Sequence, residues 1–196
     1  MRKVVIATNN AHKVEEIRSA LDFEGWEFVT LSQCPPYDEP IEDADTFEGN
    51  ARIKARAAHA HTGYAALADD SGLVVDALGG APGVLSARYA GTHGDDEANN
   101  AKLLEELADV EDGHRTARFV CSLVFIDEQG REVCASGSVE GRIARSAAGA
   151  KGFGYDPLFL PDAFGGKTSL AEVSQDEKNA ISHRGNALRA LKDALA

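Results

Sequence analysis

The sequence predicts a mixed α/β fold in which helices flank a central twisted sheet, and three observations carry that prediction. Residues 3–8 form a β-branched apolar run followed at once by residues at helical spacing, the pattern of a buried strand feeding a helix. Residues 118–126 and 132–140 are strand-like and are separated by turn residues 127–130, which reads as an antiparallel hairpin. Helical patterns recur before and after that hairpin, so parallel and antiparallel pairing are expected in one sheet. The 196 residues, 43% hydrophobic, suit a single domain over 1–196, since no Pro/Ser-rich linker, low-complexity tract or internal repeat divides them.

In chain order, the first strand leads to Asn9 or Asn10 as the N-cap of a helix. Val14, Ile17 and Leu21 form its apolar stripe, Glu15, Glu16 and Arg18 take the other side, and Gly25 ends it. Residues 26–31 read as a second strand. Residues 32–45 hold Pro35, Pro36 and Pro40 among several acids and read as a long surface loop. Asp45 or Thr46 then caps an Ala-rich helix to about His61, whose Ala51, Ala55 and Ala58 allow close packing. Thr46, Asn50 and Lys54 share another face, and a polar face is usually a solvated one.

Ala65 to Ala68 lead into Asp69, Asp70, Ser71 and Gly72, read as a buried strand surfacing into a turn. Successive strand side chains point to opposite faces, so both carboxylates can serve one pocket only if the backbone bends, which Gly72 permits. Residues 77–94 are a glycine-rich loop with Arg88 and Tyr89. Residues 95–107 read as an amphipathic helix with Ala98, Ala101, Leu104 and Leu107 on one face. Residues 147–157 are again glycine-rich, Ser174 and Glu177 have capping-box spacing, and residues 183–195 form a last helix striped with Leu188, Leu191 and Leu195.

Composition narrows the function. A formal net charge of -12 argues against binding nucleic acid, which needs clustered Lys and Arg. An anionic substrate would require the few basic residues to gather at its site. Cys34, Cys121 and Cys134 are odd in number, widely spaced and free of any CxxC pattern, so they read as buried reduced thiols. The six histidines form no metal pattern. The apolar run at residues 4–7 is too short for a signal peptide or a membrane span, and a cytoplasmic protein without membrane contact is expected.

Several stretches have chemical potential. Thr8, Asn9, Asn10, Ala11, His12 and Lys13 sit at a strand-to-helix junction, where unpaired N–H groups and the helix dipole favour phosphate and Lys13 adds a full charge. No Walker pattern is present, and capping residues alone are more often structural. Lys54 is a second candidate phosphate ligand. Glu42 could meet Asp70 at a magnesium ion, although Asp38, Glu39, Asp43 and Asp45 surround it and compete for the role. Phe153 between glycines could stack on a base while Asp156 contacts its edge or the ribose. Lys178, His183 and Arg184 offer donors to a carbonyl oxygen. Taken singly, a Phe is usually core and a His-Arg pair usually surface.

Together these stretches resemble the inosine triphosphate pyrophosphatase family, enzymes that remove non-canonical purine nucleoside triphosphates. The similarity runs through ATNNAHK, TFEGNARIKA from Thr46, ADDSGLVVDALGGAPGVLSARYAG from Ala68, GFGYDPLF from Gly152 and EKNAISHRGNAL from Glu177. The resemblance implies hydrolysis of XTP, ITP and dITP to monophosphate and pyrophosphate with Mg2+. It also implies a homodimer and an elongated fold of two lobes with the active-site cleft between them. Position by position, Thr8 to Lys13 and Lys54 would hold the triphosphate and Ser71 would touch substrate. Asp70 would accept the proton of the attacking water and bind metal with Glu42. Phe153, Gly154, Tyr155 and Asp156 would wall the base and sugar, and Lys178, His183 and Arg184 would read the purine.

Donors at the base edge favour an oxygen at position 6 over adenine's amino group, which agrees with that assignment. Two other readings compete: a purine nucleotide sensor without turnover, and a house-cleaning pyrophosphatase for modified pyrimidine nucleotides. A carboxylate base beside the phosphates counts against the sensor, because binding alone does not need one.

Overall fold

A computed structural model describes residues 2–20 and 25–195. It contains a mixed six-stranded sheet in the order β2-β1-β3-β4-β5-β6, with helices packed on it. The strands are β1 (Arg2–Ile6), β2 (Trp26–Thr30), β3 (Ala65–Val75), β4 (Thr116–Ile126), β5 (Glu132–Ile143) and β6 (Phe159–Pro161). The helices are α1 (Ala11–Ala20), α2 (Phe47–Thr62), α3 (Asp96–Glu106), α4 (Gln175–Ile181) and α5 (His183–Leu195). β1 runs parallel to β2 and β3, with Val4 opposite Phe28 on one side and Ala65 on the other, whereas β5 and β6 are antiparallel. The expected mixture of pairings is therefore present.

The chain forms two compact units, each assembled from separated stretches. Unit 1 comprises residues 1–70, 121–137 and 184–196. In it the alternation of β1 and β3 divides the apolar residues into two layers. Val4, Ile6 and Leu67 pack with Ile17 of α1 and Ala187, Leu188 and Leu191 of α5. Val5, Ala7, Ala66 and Ala68 pack against Ala51, Ala55 and Ala58 of α2. The alanine stripe thus performs the close approach expected of it.

Thr46 caps α2 through its hydroxyl, which accepts from Gly49 N, and Gly63 in the left-handed conformation closes it. A Cβ at Gly49 would lie 2.6 Å from Ala44 Cβ. Only glycine therefore lets the acidic loop fold back onto the start of this helix. For the first helix, Asn10 is the capping residue, with Oδ1 accepting from Lys13 N at 3.2 Å. Leu21, the third member of the expected stripe, lies outside the described residues.

Unit 2 comprises residues 71–120 and 138–183. Leu73, Val75, Phe119, Leu103, Leu107, Leu158 and Phe159 make up much of its core. Arg115 is buried and donates to the carbonyls of Leu107, Ile143 and Ala144 at 2.6, 2.9 and 2.9 Å. Ser174 and Glu177 form the predicted capping box at the start of α4.

Several expectations need correction. The second strand ends at Thr30, and residues 31–33 wind into a short 3-10 turn. Asp69 to Gly72 are not a turn: β3 runs unbroken for 11 residues through them. α3 buries Asn99 and Leu103 and, at its end, Leu107, while Ala101 is exposed. Asn99 takes the inner face because its side chain serves the glycine-rich loop, accepting from Ala90 N and donating to Ala87 O. Only Cys121 is fully buried; Cys34 is half-buried and Cys134 exposed. Burial raises the Cys121 thiol to about 12, helped by the Asp69 carboxylate. Among the described residues no helix is long and apolar enough to cross a membrane.

Candidate active site

Because β3 does not bend at Asp69 and Asp70, their carboxylates point to opposite faces of the strand, and each meets a different helix layer. Asp70 shares the face of Ala66 and Ala68, towards α2. There Lys54 Nζ lies 2.9 Å from Asp70 Oδ1 and 2.8 Å from Glu42 Oε2, so a single ammonium holds two carboxylates together. Asn50, one turn earlier on α2, donates to Asp70 Oδ2 at 3.5 Å and accepts from Ala44 N at 3.0 Å. That second bond ties the acidic loop carrying Glu42 to the helix. The face shared by Thr46, Asn50 and Lys54 is therefore not merely solvated, since Asn50 is buried. Burial raises the Asp70 carboxyl above its usual range, although Lys54 and Lys13 pull the other way. Burial opposes the charge of Lys54, but Asp70, Asp69 and Glu42 outweigh it and raise the ammonium.

Asp69 faces α1 and α5 and is fully buried. Its Oδ2 lies 3.2 Å from Lys13 Nζ and accepts from Arg184 Nη2 at 2.9 Å and Nε at 3.3 Å. The other arm of the guanidinium, Nη1, pairs with Glu16. Burial alone would raise Asp69, yet the charges of Lys13, Arg184 and Lys54 hold it well below the usual carboxylate range. Lys13 and Arg184 thus reach the strand that carries Asp70, through its neighbour.

Two expectations change here. Arg184 is not at the surface, where a His-Arg pair standing alone usually lies: it is 1% exposed and its guanidinium pairs with Asp69 and Glu16. Glu16 is buried, not on a solvent side, because it supplies the second counter-charge that a buried guanidinium requires. Its position three residues after Lys13 on α1 was the available signal, since such residues share a face.

The Thr8 to Lys13 stretch lies where β1 passes into α1. Thr8 Oγ1 accepts from Asn10 N at 3.2 Å, Asn9 donates to Glu39, and Ala11 and His12 are exposed in the first turn of α1. Glu42 and Asp70 are hard oxygen donors already brought to one ammonium, so they fit a hard cation such as Mg2+ completed by water and substrate oxygens. Among the described residues no group of three or more His, Cys, Asp or Glu could hold a metal by itself.

Unit 2 carries the other predicted residues. Asp156 Oδ2 accepts from Lys178 Nζ at 2.7 Å and from Phe153 N at 3.0 Å. The same ammonium sits 4.7 Å from the centre of the Phe153 ring. Lys178 and Asp156 are buried, whereas Phe153 and Gly154 are only partly so. The Tyr155 hydroxyl donates to Ser86 O at 2.9 Å, anchoring the loop from below. His183 is buried with its ring stacked on Phe119, centroids 4.9 Å apart. Ser71, the first residue of this unit, is partly exposed.

Gly152 has φ +73, and a Cβ there would meet Asp156 Oδ2 at 2.1 Å. Gly152→Ala is therefore expected to displace Asp156 and raise KM for the nucleotide about tenfold, with kcat less affected, in steady-state assays. Asp96 and Asn100 of α3, which bond to Gly154, were not singled out from the sequence. Nothing in a helical pattern shows that a residue reaches a loop more than fifty positions away.

Two carboxylates gathered by one ammonium in unit 1, and an aromatic ring beside an ion pair in unit 2, are the kinds of group used by an α/β enzyme that hydrolyses nucleotides. The family is more specific. Residues 4–194 match the model of the Ham1 family, and the chain belongs to that family. A dITP/XTP pyrophosphatase of Nocardia farcinica is 51% identical over 199 residues, covering 100% of this chain and 96% of the relative. Its counterpart in Corynebacterium efficiens is 49% identical over 201 residues, covering 99% and 97%. The solved Ham1 protein of Staphylococcus aureus superposes with a TM-score of 0.88 at 38% identity, covering 99% of this chain and 98% of that one. The family read from the five sequence stretches is thus the one the comparisons identify.

Proposed function

We propose that this protein hydrolyses non-canonical purine nucleoside triphosphates, dITP, XTP and ITP, to the monophosphate and pyrophosphate, and so cleanses the nucleotide pool. The observation that carries the chemistry is Lys54 holding Asp70 and Glu42 together. Relatives about half identical along their whole length are named for the same reaction.

In this reading the Thr8 to Lys13 junction and Lys54 bind the triphosphate, and Ser71 touches it. Asp70 takes a proton from water as the water oxygen bonds to phosphorus; the phosphorus–oxygen bond to the leaving pyrophosphate breaks and carries its electron pair away. Burial makes Asp70 a stronger base than an exposed carboxylate. Glu42 and Asp70 would hold Mg2+, which supplies charge neutralisation at the phosphates and a more acidic water. Phe153 stacks on the base, Gly154, Tyr155 and Asp156 wall it, and Lys178, His183 and Arg184 supply donors to the oxygen at position 6. Arg184 also holds Asp69, the chain neighbour of Asp70. We carry with this reading a cytoplasmic location, a single catalytic domain over residues 1–196 and a homodimer.

The test is pyrophosphate release from a panel of dITP, XTP, ITP, dGTP, dATP and modified pyrimidine triphosphates, with and without magnesium. Release from the first three ahead of the rest, dependent on magnesium, is expected. Absence of release at micromolar enzyme would leave the sensor reading, and pyrimidines ahead of dITP would replace the substrate class.

A further inference from the structure

Phe153 is held by unit 2 at more points than a core residue would need. On its N-terminal side, its own N–H donates to Asp156 Oδ2, and on its ring lies the Lys178 ammonium. On its C-terminal side the contacts come from α3. Gly154 N donates to Asp96 Oδ2 at 2.7 Å, and Asn100 Nδ2 donates to Gly154 O at 2.9 Å. Asp96 and Asn100 are four residues apart and share a helix face, so one face grips both the donor and the acceptor of a single residue. Gly154 has φ +62, a conformation in which other residues are strained. Side chains from a helix more than fifty positions away meet both its N–H and its C=O. The 2.7 Å bond to the Asp96 carboxyl is at the short end of the N–H···O range.

The geometry points to Asp96 and Asn100 as positioning residues that set the orientation of Phe153 through the backbone of Gly154, and thereby the enzyme's affinity for the purine. This rests on the functional reading above, in which Phe153 stacks on the base. Neither residue is required to touch substrate or the reacting phosphates. Their loss should therefore weaken binding of the base while leaving the chemical step intact.

The experiment compares Asp96→Ala, Asn100→Ala and the isosteric Asp96→Asn and Asn100→Asp in the full chain. Two readouts are used: steady-state hydrolysis of dITP with magnesium, and calorimetric binding of dITP without it. Asp96→Ala and Asn100→Ala are each expected to raise KM and Kd about five- to tenfold with kcat within about twofold. Asp96→Asn, which keeps an oxygen acceptor, should restore most of the affinity. Asn100→Asp, which replaces the donor by an acceptor facing a carbonyl, should be at least as impaired as Asn100→Ala.

Unchanged KM and Kd would overturn the inference, as would a lowered kcat and melting temperature with affinity preserved, the mark of a structural role only. The isosteric pair keeps the test decisive if an alanine variant fails to fold. Wild-type protein that binds dITP without releasing pyrophosphate would refute the enzyme and leave the clamp to be judged on Kd. An active wild type with unaffected variants would refute the clamp alone.

Discussion

Replacing Asp70 with asparagine is expected to lower kcat by about three orders of magnitude while the nucleotide still binds. The amide occupies nearly the same volume and can still accept from Lys54 or Asn50, which now donate to Asp70 at 2.9 and 3.5 Å. It cannot take a proton from water, and it is a poor ligand for a hard cation. Single-turnover kinetics with dITP, alongside calorimetric titration, separates these effects. A variant that turns over at near-normal rate would exclude Asp70 as the base. Loss of binding in proportion to loss of rate would make it a substrate ligand first and a base second.

The second large effect concerns stability. Arg184→Ala is expected to cost about 3–5 kcal/mol, read as a lower urea midpoint at unchanged slope, because it leaves two buried carboxylates without their shared counter-charge. The guanidinium pairs with Asp69 and Glu16, and Lys13 Nζ lies 3.2 Å from Asp69. Glu16→Gln in the same background should recover part of the loss, since removing one of the two stranded charges relieves part of the penalty. A variant as stable as wild type would show that the network contributes no net stability, as some buried ion pairs do not. As a reader of the base, Arg184 should on removal also lower the preference for dITP over dATP, and an unchanged preference would exclude that role.

These two residues mark how far the sequence could be read. Strands and helices follow from hydrophobic period and caps: the Thr46 cap, the Ser174–Glu177 box and the turn at residues 127–130 are local signals, and local signals survive folding. The bend at Gly72 was not found, because a glycine after two acids reads as a turn only if those acids must escape to water. They do not need to, since Lys54 and Arg184 meet them inside. Arg184 follows the same logic. Beside a histidine at a helix start it reads as surface, and only coordinates show that Glu16, 168 residues earlier, neutralises it. α3 repeats the lesson, with Asn99 on the inner face because a distant loop required its amide. Local pattern does not reveal a polar group that is satisfied by a partner remote in sequence.

β3 holds residues 69 and 70 inside an eleven-residue strand rather than on a loop. Neighbouring backbone fixes the direction of each carboxylate, and neither can swing towards an arriving ligand. Any adaptation to different triphosphates must come from the glycine-bearing segments and long side chains around that rigid spine. The electrostatic ordering of this corner is complete once the chain has folded, so successive turnovers do not have to repeat it.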